Sequence, residues 1–475
     1  MEINEDQDNK FHSSKDLIIP LKLILPITSV GVFMGAMDGS IVNVSLKTIA
    51  TDLGTDMGGV RWIVIVYLLV ISSLIGIGGS IGDNFGRKKI FQIGMALFAI
   101  GSLLCAFSSS LIFLILSRIL QAAGAAGLMA NGLALVITYI DPSKRGRAIG
   151  INSLVVASAL STGPALGGFL SEFVGWPSIF LINIPIGFIG ILLVQKYIPE
   201  TTRKTDVNLD YLGMVTFIIT AFSFVSGIIF LFEGNFLGGL FLGVALISGF
   251  VFVFIEISHP QPMISIRLMK DKTILFGVLA SLLCYMSYYA LVFLLPFFYQ
   301  DVLFYTHAHK QSITGILMII PPLFMGTFGP IGGLLSEKIN LRKLTTSGAL
   351  LLGFSIIFLS FSIDQSLIII LPFIALSAGF LAIFTSSNGT SVMNASPKAN
   401  ISIVSGLIGL SRNIGFALGT TLSSALFGLF FSLNNPTDVT SGPIFQTSYY
   451  SSLGATFFIF ALFSFIGAFI SRLRD

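Results

Sequence analysis

Gly79-Ser80-Ile81-Gly82-Asp83-Asn84-Phe85-Gly86-Arg87-Lys88-Lys89 and Gly332-Gly333-Leu334-Leu335-Ser336-Glu337-Lys338-Ile339-Asn340-Leu341-Arg342-Lys343 follow one plan: small residues, an acid, then a basic cluster. Each sits between two apolar runs long enough to cross a bilayer, which takes about 20 mostly apolar residues per helix. Working outward in both directions, runs of this kind cover 21–46, 61–82, 89–109, 111–140, 147–171, 176–197, 211–232, 236–257, 273–299, 312–335, 343–362, 366–388, 401–432 and 446–471. The first quoted segment follows the second run and its repeat follows the tenth. The chain therefore divides into six spans, a two-span insert and six more. Paired bundles related by such a repeat are a transporter architecture, with the binding site between the halves near the membrane midplane. The runs are continuous and too long for barrel strands.

Composition agrees. Of 475 residues, 54% are hydrophobic and 10% charged, where a soluble domain carries about 25% charge; the mean hydropathy is +0.93. A soluble enzyme, a disordered chain and a nucleic-acid binder are excluded. The 49 Gly and 45 Phe suit helices that pack closely and face lipid. Cys105 and Cys284 lie in apolar runs and give neither a disulfide framework nor a metal spacing. The polar segment 1–16 lacks the basic start and short apolar core of a signal peptide, so none is expected.

Basic residues orient the chain. With both termini cytoplasmic, all but five of the 26 Lys and Arg fall on the cytoplasmic side. Lys47, Arg61 and Lys310 fall outside; Arg118 and Arg412 fall within spans. The positive-inside rule thus predicts cytoplasmic ends, and the apolar runs predict fourteen transmembrane helices; leaving out the pair 211–257 would give twelve with the same sidedness. The expected organisation is a tail over 1–20, an N-terminal bundle over 21–200, an insert over 201–262 and a C-terminal bundle over 263–475.

Several motifs in order then resemble the major facilitator superfamily, and within it the fourteen-span drug:proton antiporters. Gly82-Asp83-Asn84-Phe85-Gly86-Arg87-Lys88 is similar to the superfamily's loop signature, with Asn84 where a basic residue is usual. Met37-Asp38-Gly39-Ser40-Ile41-Val42-Asn43-Val44 resembles the first-span signature, without the Pro that usually follows. Arg118-Ile119-Leu120-Gln121-Ala122-Ala123-Gly124 resembles the span-four signature, with Ala122 for a usual Gly. Gly163-Pro164-Ala165-Leu166-Gly167-Gly168 resembles the antiporters' span-five signature. Trp176 with Asn183-Ile184-Pro185-Ile186-Gly187, and Ser411-Arg412-Asn413-Ile414-Gly415, resemble elements of spans six and thirteen.

Asp38 is the one carboxylate this reading places deep in a span. An intramembrane acid is a functional-site candidate by default. Low dielectric favours its neutral form, which suits proton loading and release; a structural polar contact or a cation-binding residue are the other readings. Asp38 lies eight residues from the outer end of its span and Arg118 seven from the outer end of span four. At about 1.5 Å per residue both sit roughly 10–12 Å deep, so they can pair, either as a switch that controls the acid's protonation or as a static ion pair. Asn43, Gln121, Tyr285, Tyr288, Tyr289 and Arg412 are candidate pocket residues. The run Tyr285, Tyr288, Tyr289, Phe293, Phe297, Phe298 and Tyr299 can line a site for flat compounds, face lipid or fill the core. Ala159, Gly163 and Gly167 form a small-residue stripe that admits a close helix, with Pro164 as a kink; the resemblance implies that Gly163, Pro164, Gly167 and Gly168 form an antiporter-specific packing surface. It also implies a cytoplasmic gate of Asp83, Gly86 and Arg87. Lys88 and Lys89 read as positive-inside anchors. Glu172, Glu233 and Glu256 lie near span ends and read as hydrated. His307 and His309 share an outer loop with no further ligand for a metal.

The function expected is secondary active, proton-coupled export of lipophilic small molecules by alternating access. No cofactor is expected beyond the proton gradient, and the expected partners are substrate, protons and the bilayer, with the chain monomeric in a bacterial cell membrane. A lipid or anionic-metabolite exporter and a non-transporting receptor are the alternatives. No nucleophile–base set and no phosphate-cradling G-x-x-x-x-G-K-[ST] points to an enzyme or an ATP-driven pump. One deep acid against two deep bases disfavours dicationic substrates.

Overall fold

The structure, a computed structural model, describes residues 20–140, 145–200, 210–232, 234–259, 266–304, 306–395, 401–435 and 442–474. Among these residues there are sixteen α-helices and no strand. The first half holds α1 (Leu21–Asp52), α2 (Met57–Phe85), α3 (Arg87–Ala106), α4 (Leu111–Tyr139), α5 (Arg145–Phe173), α6 (Ser178–Leu181) and α7 (Asn183–Tyr197). Then come α8 (Tyr211–Phe232) and α9 (Leu237–Ser258). The second half holds α10 (Lys272–Phe298), α11 (Lys310–Leu317), α12 (Ile320–Lys338), α13 (Leu341–Ser362), α14 (Leu367–Ala395), α15 (Ile401–Asn434) and α16 (Pro443–Arg472). The expected tail over 1–20 and the junctions at 201 and 263 fall largely outside the described residues.

Taking α6 with α7 and α11 with α12, the helices make fourteen columns. Thirteen are long and apolar enough to cross a membrane, and α5 is the other. Two runs that read as single helices are broken. The sixth span divides at Ile182, just ahead of Pro185, and the tenth divides at Met318-Ile319, ahead of Pro321-Pro322. Proline brings no N–H donor to a helix, so it is accommodated in a first turn and interrupts what precedes it. Sequence also fixes several starts. Asp56 accepts from Gly59 N at 2.9 Å to open α2. Asp271 accepts from Thr273 N at 2.8 Å to open α10, and Asn340 accepts from Arg342 N at 2.9 Å to open α13. Each satisfies a backbone donor that the helix itself leaves free. Gly86, at φ +97°, makes the sharp turn from α2 to α3, a conformation that favours glycine.

An even number of crossings puts Leu21 and Arg472 at one face, here called the termini face; the opposite one is the far face. In the first half α1 packs on α4, α5 and α7, and α4 on α2 and α3. In the second, α10 packs on α15 and α16, and α14 on α12 and α13. The hairpin α8–α9 lies beside the seam, with α8 against α2 and α15; Trp62 and Phe222 meet there at 5.8 Å between ring centroids. On α9, Leu240, Leu246, Ile247, Phe250 and Phe254 are exposed, the surface expected of a helix bathed in lipid. Contacts between the halves run from α5 to α11, α2 to α15 and α1 to α10.

Candidate functional site

Asp38 is fully buried on α1, and Arg118 on α4 reaches it with Nη1 in an ion pair. Equal depth on neighbouring helices, inferred from residue counts, is what brings them together. Gln121 lies three residues after Arg118 and so on the same helix face. It accepts from Arg118 Nη1 at 2.6 Å and donates from Nε2 to Asp38 Oδ1 at 2.8 Å and to Ser102 Oγ at 2.8 Å. Asn183 Nδ2 adds a longer bond of 3.5 Å to Asp38 Oδ1. Arg118 Nε donates to Ile63 O at 3.4 Å, and its guanidinium lies 3.9 Å over the Tyr67 ring. A buried ion pair survives only when its remaining donors and acceptors are satisfied, and here α1, α2, α3, α4 and α7 all contribute to that. Close helix approach makes it possible: a Cβ on Gly101 would lie 2.6 Å from Gln121 Cα. Asn183 and Tyr67 were not picked out as site residues by sequence. The signal for Asn183 was the proline two residues later, which starts a fresh helix and aims its first side chain inward.

A second group faces this one from the other half. Asn43 Nδ2 lies 3.5 Å from Tyr289 Oη, and Gln300 Nε2 donates to Val44 O at 3.0 Å. Tyr289 stacks on Phe416 at 4.1 Å, and Tyr285 meets the same ring edge-on at 5.4 Å. Tyr285, Tyr288, Tyr289, Phe293, Phe297, Phe298 and Tyr299 are all buried, which rules out the lipid-facing reading. Arg412, one turn before Phe416 on α15, is partly exposed and lies within electrostatic reach of Tyr285.

The described polar contacts between the halves lie toward the far face. Glu172 on α5 accepts from Ser312 N at 2.8 Å and pairs with His309. Lys47 pairs with Asp301. Arg61 Nη1 donates to Ser424 Oγ at 3.1 Å. Three expectations are corrected here. Glu172 is not simply hydrated, because the other half packs over the end of α5. Burial works against its charge, but the bonds from Ser312 and His309 outweigh that and hold its carboxyl below the ordinary value. Arg61, counted with the basic residues of the outer side, lies within α2, which starts at Met57, and is buried at 4% exposure. Glu256 is also buried, at 2%, since the end of α9 packs on α8 and on the 3-10 turn Ile266–Lys270. Glu233 lies outside the described residues.

The span-five glycines serve two surfaces. A Cβ on Gly163 would come 3.0 Å from Met37 O, and one on Gly167 2.5 Å from Ile41 O, so these two admit α1. A Cβ on Gly168 would come 2.4 Å from Gln311 O, and one on Gly315 2.4 Å from Pro164 O. Gly168 on α5 and Gly315 on α11 therefore let the two helices meet across the seam.

At the termini face, Arg87 Nη1 donates to Ala134 O at 3.1 Å and to Thr138 Oγ1 at 3.0 Å. Lys88 is buried and pairs with Glu200 Oε1 at 3.2 Å; it is a tie from α3 to the chain beyond α7 and not only a hydrated anchor. The side chain of Asp83 lies outside the described residues. No group of three or more His, Cys, Asp or Glu among the described residues could hold a metal. A groove of about 910 Å³, bounded by Ser360, Asp364, Thr447 and Tyr450, lies between α13 and α16, apart from Asp38.

The sequence profile described as Major Facilitator Superfamily matches residues 28–420. The riboflavin transporter RibZ of Clostridioides difficile is 32% identical, the match covering 87% of this chain and 89% of that protein. The methyl viologen resistance protein SmvA of Salmonella typhimurium is 30% identical over 84% of this chain and 80% of its own. The multidrug resistance protein Stp of Mycobacterium tuberculosis is 28% identical over 86% and 76%. Among solved structures, a bacterial homologue of the human lysosomal transporter Spinster, inward-facing and unoccupied, superposes with a TM-score of 0.68 at 17% identity, covering 95% of this chain and 96% of that one.

Proposed function

The chain belongs to the Major Facilitator Superfamily, a multi-pass membrane transporter and not an enzyme, and we propose that it exports lipophilic small molecules in exchange for protons, with Asp38 as the proton carrier. The observation that carries this reading is the Asp38–Arg118 pair, fully buried at membrane depth and tied to three further elements, α2, α3 and α7. An acid whose counter-ion approaches in one state and withdraws in another changes its hold on a proton between those states. With the termini face cytoplasmic, the far-face contacts of Glu172, Lys47, Arg61 and Gly168 close the outer side, and their release opens it. Asp83, Gly86 and Arg87 then hold the cytoplasmic side in the opposite state. Stp and SmvA, as resistance proteins, support the export of foreign compounds. A second reading, export of a flat polar metabolite, is favoured by the similarity to RibZ and by the Tyr285, Tyr289 and Phe416 rings.

Proteoliposomes enclosing a pH-sensitive dye, held under an imposed pH gradient, test the proposal. Addition of a transported lipophile should drive proton movement that protein-free liposomes lack. Substrate movement that ignores the gradient would contradict it.

A further inference from the structure

Two arginines lie at membrane depth, and they differ in one respect. Arg118 is 1% exposed and is met by Asp38, Gln121 and Ile63 O. Arg412 makes no hydrogen bond or ion pair with any described residue, although it is the twelfth residue of α15, roughly 16 Å along the helix. Its neighbours Ser411 and Asn413 are buried while Arg412 keeps part of its surface open. A guanidinium at that depth needs compensation from water or from a counter-charge. Among the described residues, the one deep acid of the first half, Asp38, is already taken by Arg118. The interior charge left for a ligand to meet is thus positive.

The surroundings specify more than charge. Phe416 stands four residues on, on the same face of α15, and is itself partly exposed. Tyr289 stacks on it at 4.1 Å and Tyr285 closes its edge at 5.4 Å. Gly415 and Gly419 keep α15 tight against α10, since a Cβ on either would come within 2.7 Å of a backbone carbonyl. The Tyr289 hydroxyl meets Asn43 of the first half, five residues from Asp38. A flat ring laid on this aromatic face would put an acidic substituent within reach of Arg412.

We propose that Arg412 and the Phe416–Tyr289–Tyr285 cluster form a substrate anchor for planar aromatic compounds carrying a carboxylate or similar anionic group. The proposal deepens the transport reading and rests on it. Arg supplies forked donors to a carboxylate, and the rings supply stacking area. Cations find only an uncompensated positive charge there.

Binding to the full-length protein in neutral-lipid nanodiscs tests the anchor, with empty nanodiscs as control and three fluorescent probes of one shape: anthracene-2-carboxylate, its carboxamide and 2-(aminomethyl)anthracene. The carboxylate should bind at least about tenfold more tightly than the amide, and the ammonium most weakly. Arg412→Gln should remove the preference for the carboxylate and leave amide binding in place; Arg412→Lys should keep part of it. Phe416→Leu should weaken carboxylate and amide alike. Equal binding of the three probes to the unmodified protein would overturn the anchor, as would an intact preference in Arg412→Gln. No ion gradient enters this measurement. Failure of gradient-driven transport with the carboxylate preference intact would strike the transport reading and leave the anchor standing.

Discussion

Arg118 Nη1 is shared between Asp38 Oδ2 and Gln121 Oε1, while Gln121 Nε2 reaches back to Asp38 Oδ1 at 2.8 Å. The three side chains thus close a ring in which each partner's geometry depends on the other two. Gln121 holds the acid in place by neutral bonds, and Arg118 alone supplies charge. Charge and position can therefore be altered separately.

Arg118→Ala removes the charge that favours the ionised acid. The pH dependence of transport should move to higher pH. Arg118→Lys should restore it in part, since an ammonium lacks the fork that meets Asp38 and Gln121 together. Transport rate against pH in the three proteins gives the answer; superimposable profiles would separate Arg118 from proton exchange.

Glu172 and His309 join α5 to the loop before α11 at the far face. The Glu172 carboxyl lies below its ordinary value in this closed arrangement. Its contribution to closure is therefore complete above the ordinary carboxylate value and fades as pH falls through the lowered one. Glu172→Gln should shift the population toward far-face separation at neutral pH. Spin labels on Thr51→Cys and His307→Cys, both exposed positions at that face, should report a longer distance component in the variant. An unchanged distribution would remove Glu172 from the closure.

Gly168 leaves no room for a side chain against Gln311 O. Gly168→Val should cost the closed far face about 1–3 kcal/mol, the range for overpacking a tight contact. Slower transport with ordinary insertion is expected, with the same lengthening between the spin labels. Gly163→Val meets α1 of its own half instead and should reduce thermal stability without that lengthening.

Much of this was legible in the sequence. Apolar runs gave fourteen columns, and counting residues from the span ends placed Asp38 and Arg118 at one depth. What stayed hidden was lateral. Residue counts give depth but not which helix stands next to which, so Glu172 reads as hydrated and Arg61 as a basic residue of the outer side when each is a tie between halves. Lys88 read as an anchor because its partner Glu200 lies 112 positions away in sequence. Asn183 was masked by its run, which reads as one helix until Pro185 is recognised as restarting it. The division of span five into Gly163 and Gly167 facing α1, and Gly168 facing α11, needs the packed helices. Sequence spacing shows only that all three are small.

The most direct measurement compares two modes of transport in Asp38→Asn proteoliposomes. The amide retains hydrogen-bonding capacity but cannot exchange a proton, and removing a buried charge should leave insertion intact. Uptake driven by a pH gradient should be abolished, while exchange of labelled for unlabelled substrate, with no gradient imposed, should continue. Full gradient-driven transport by Asp38→Asn would contradict proton coupling through this residue.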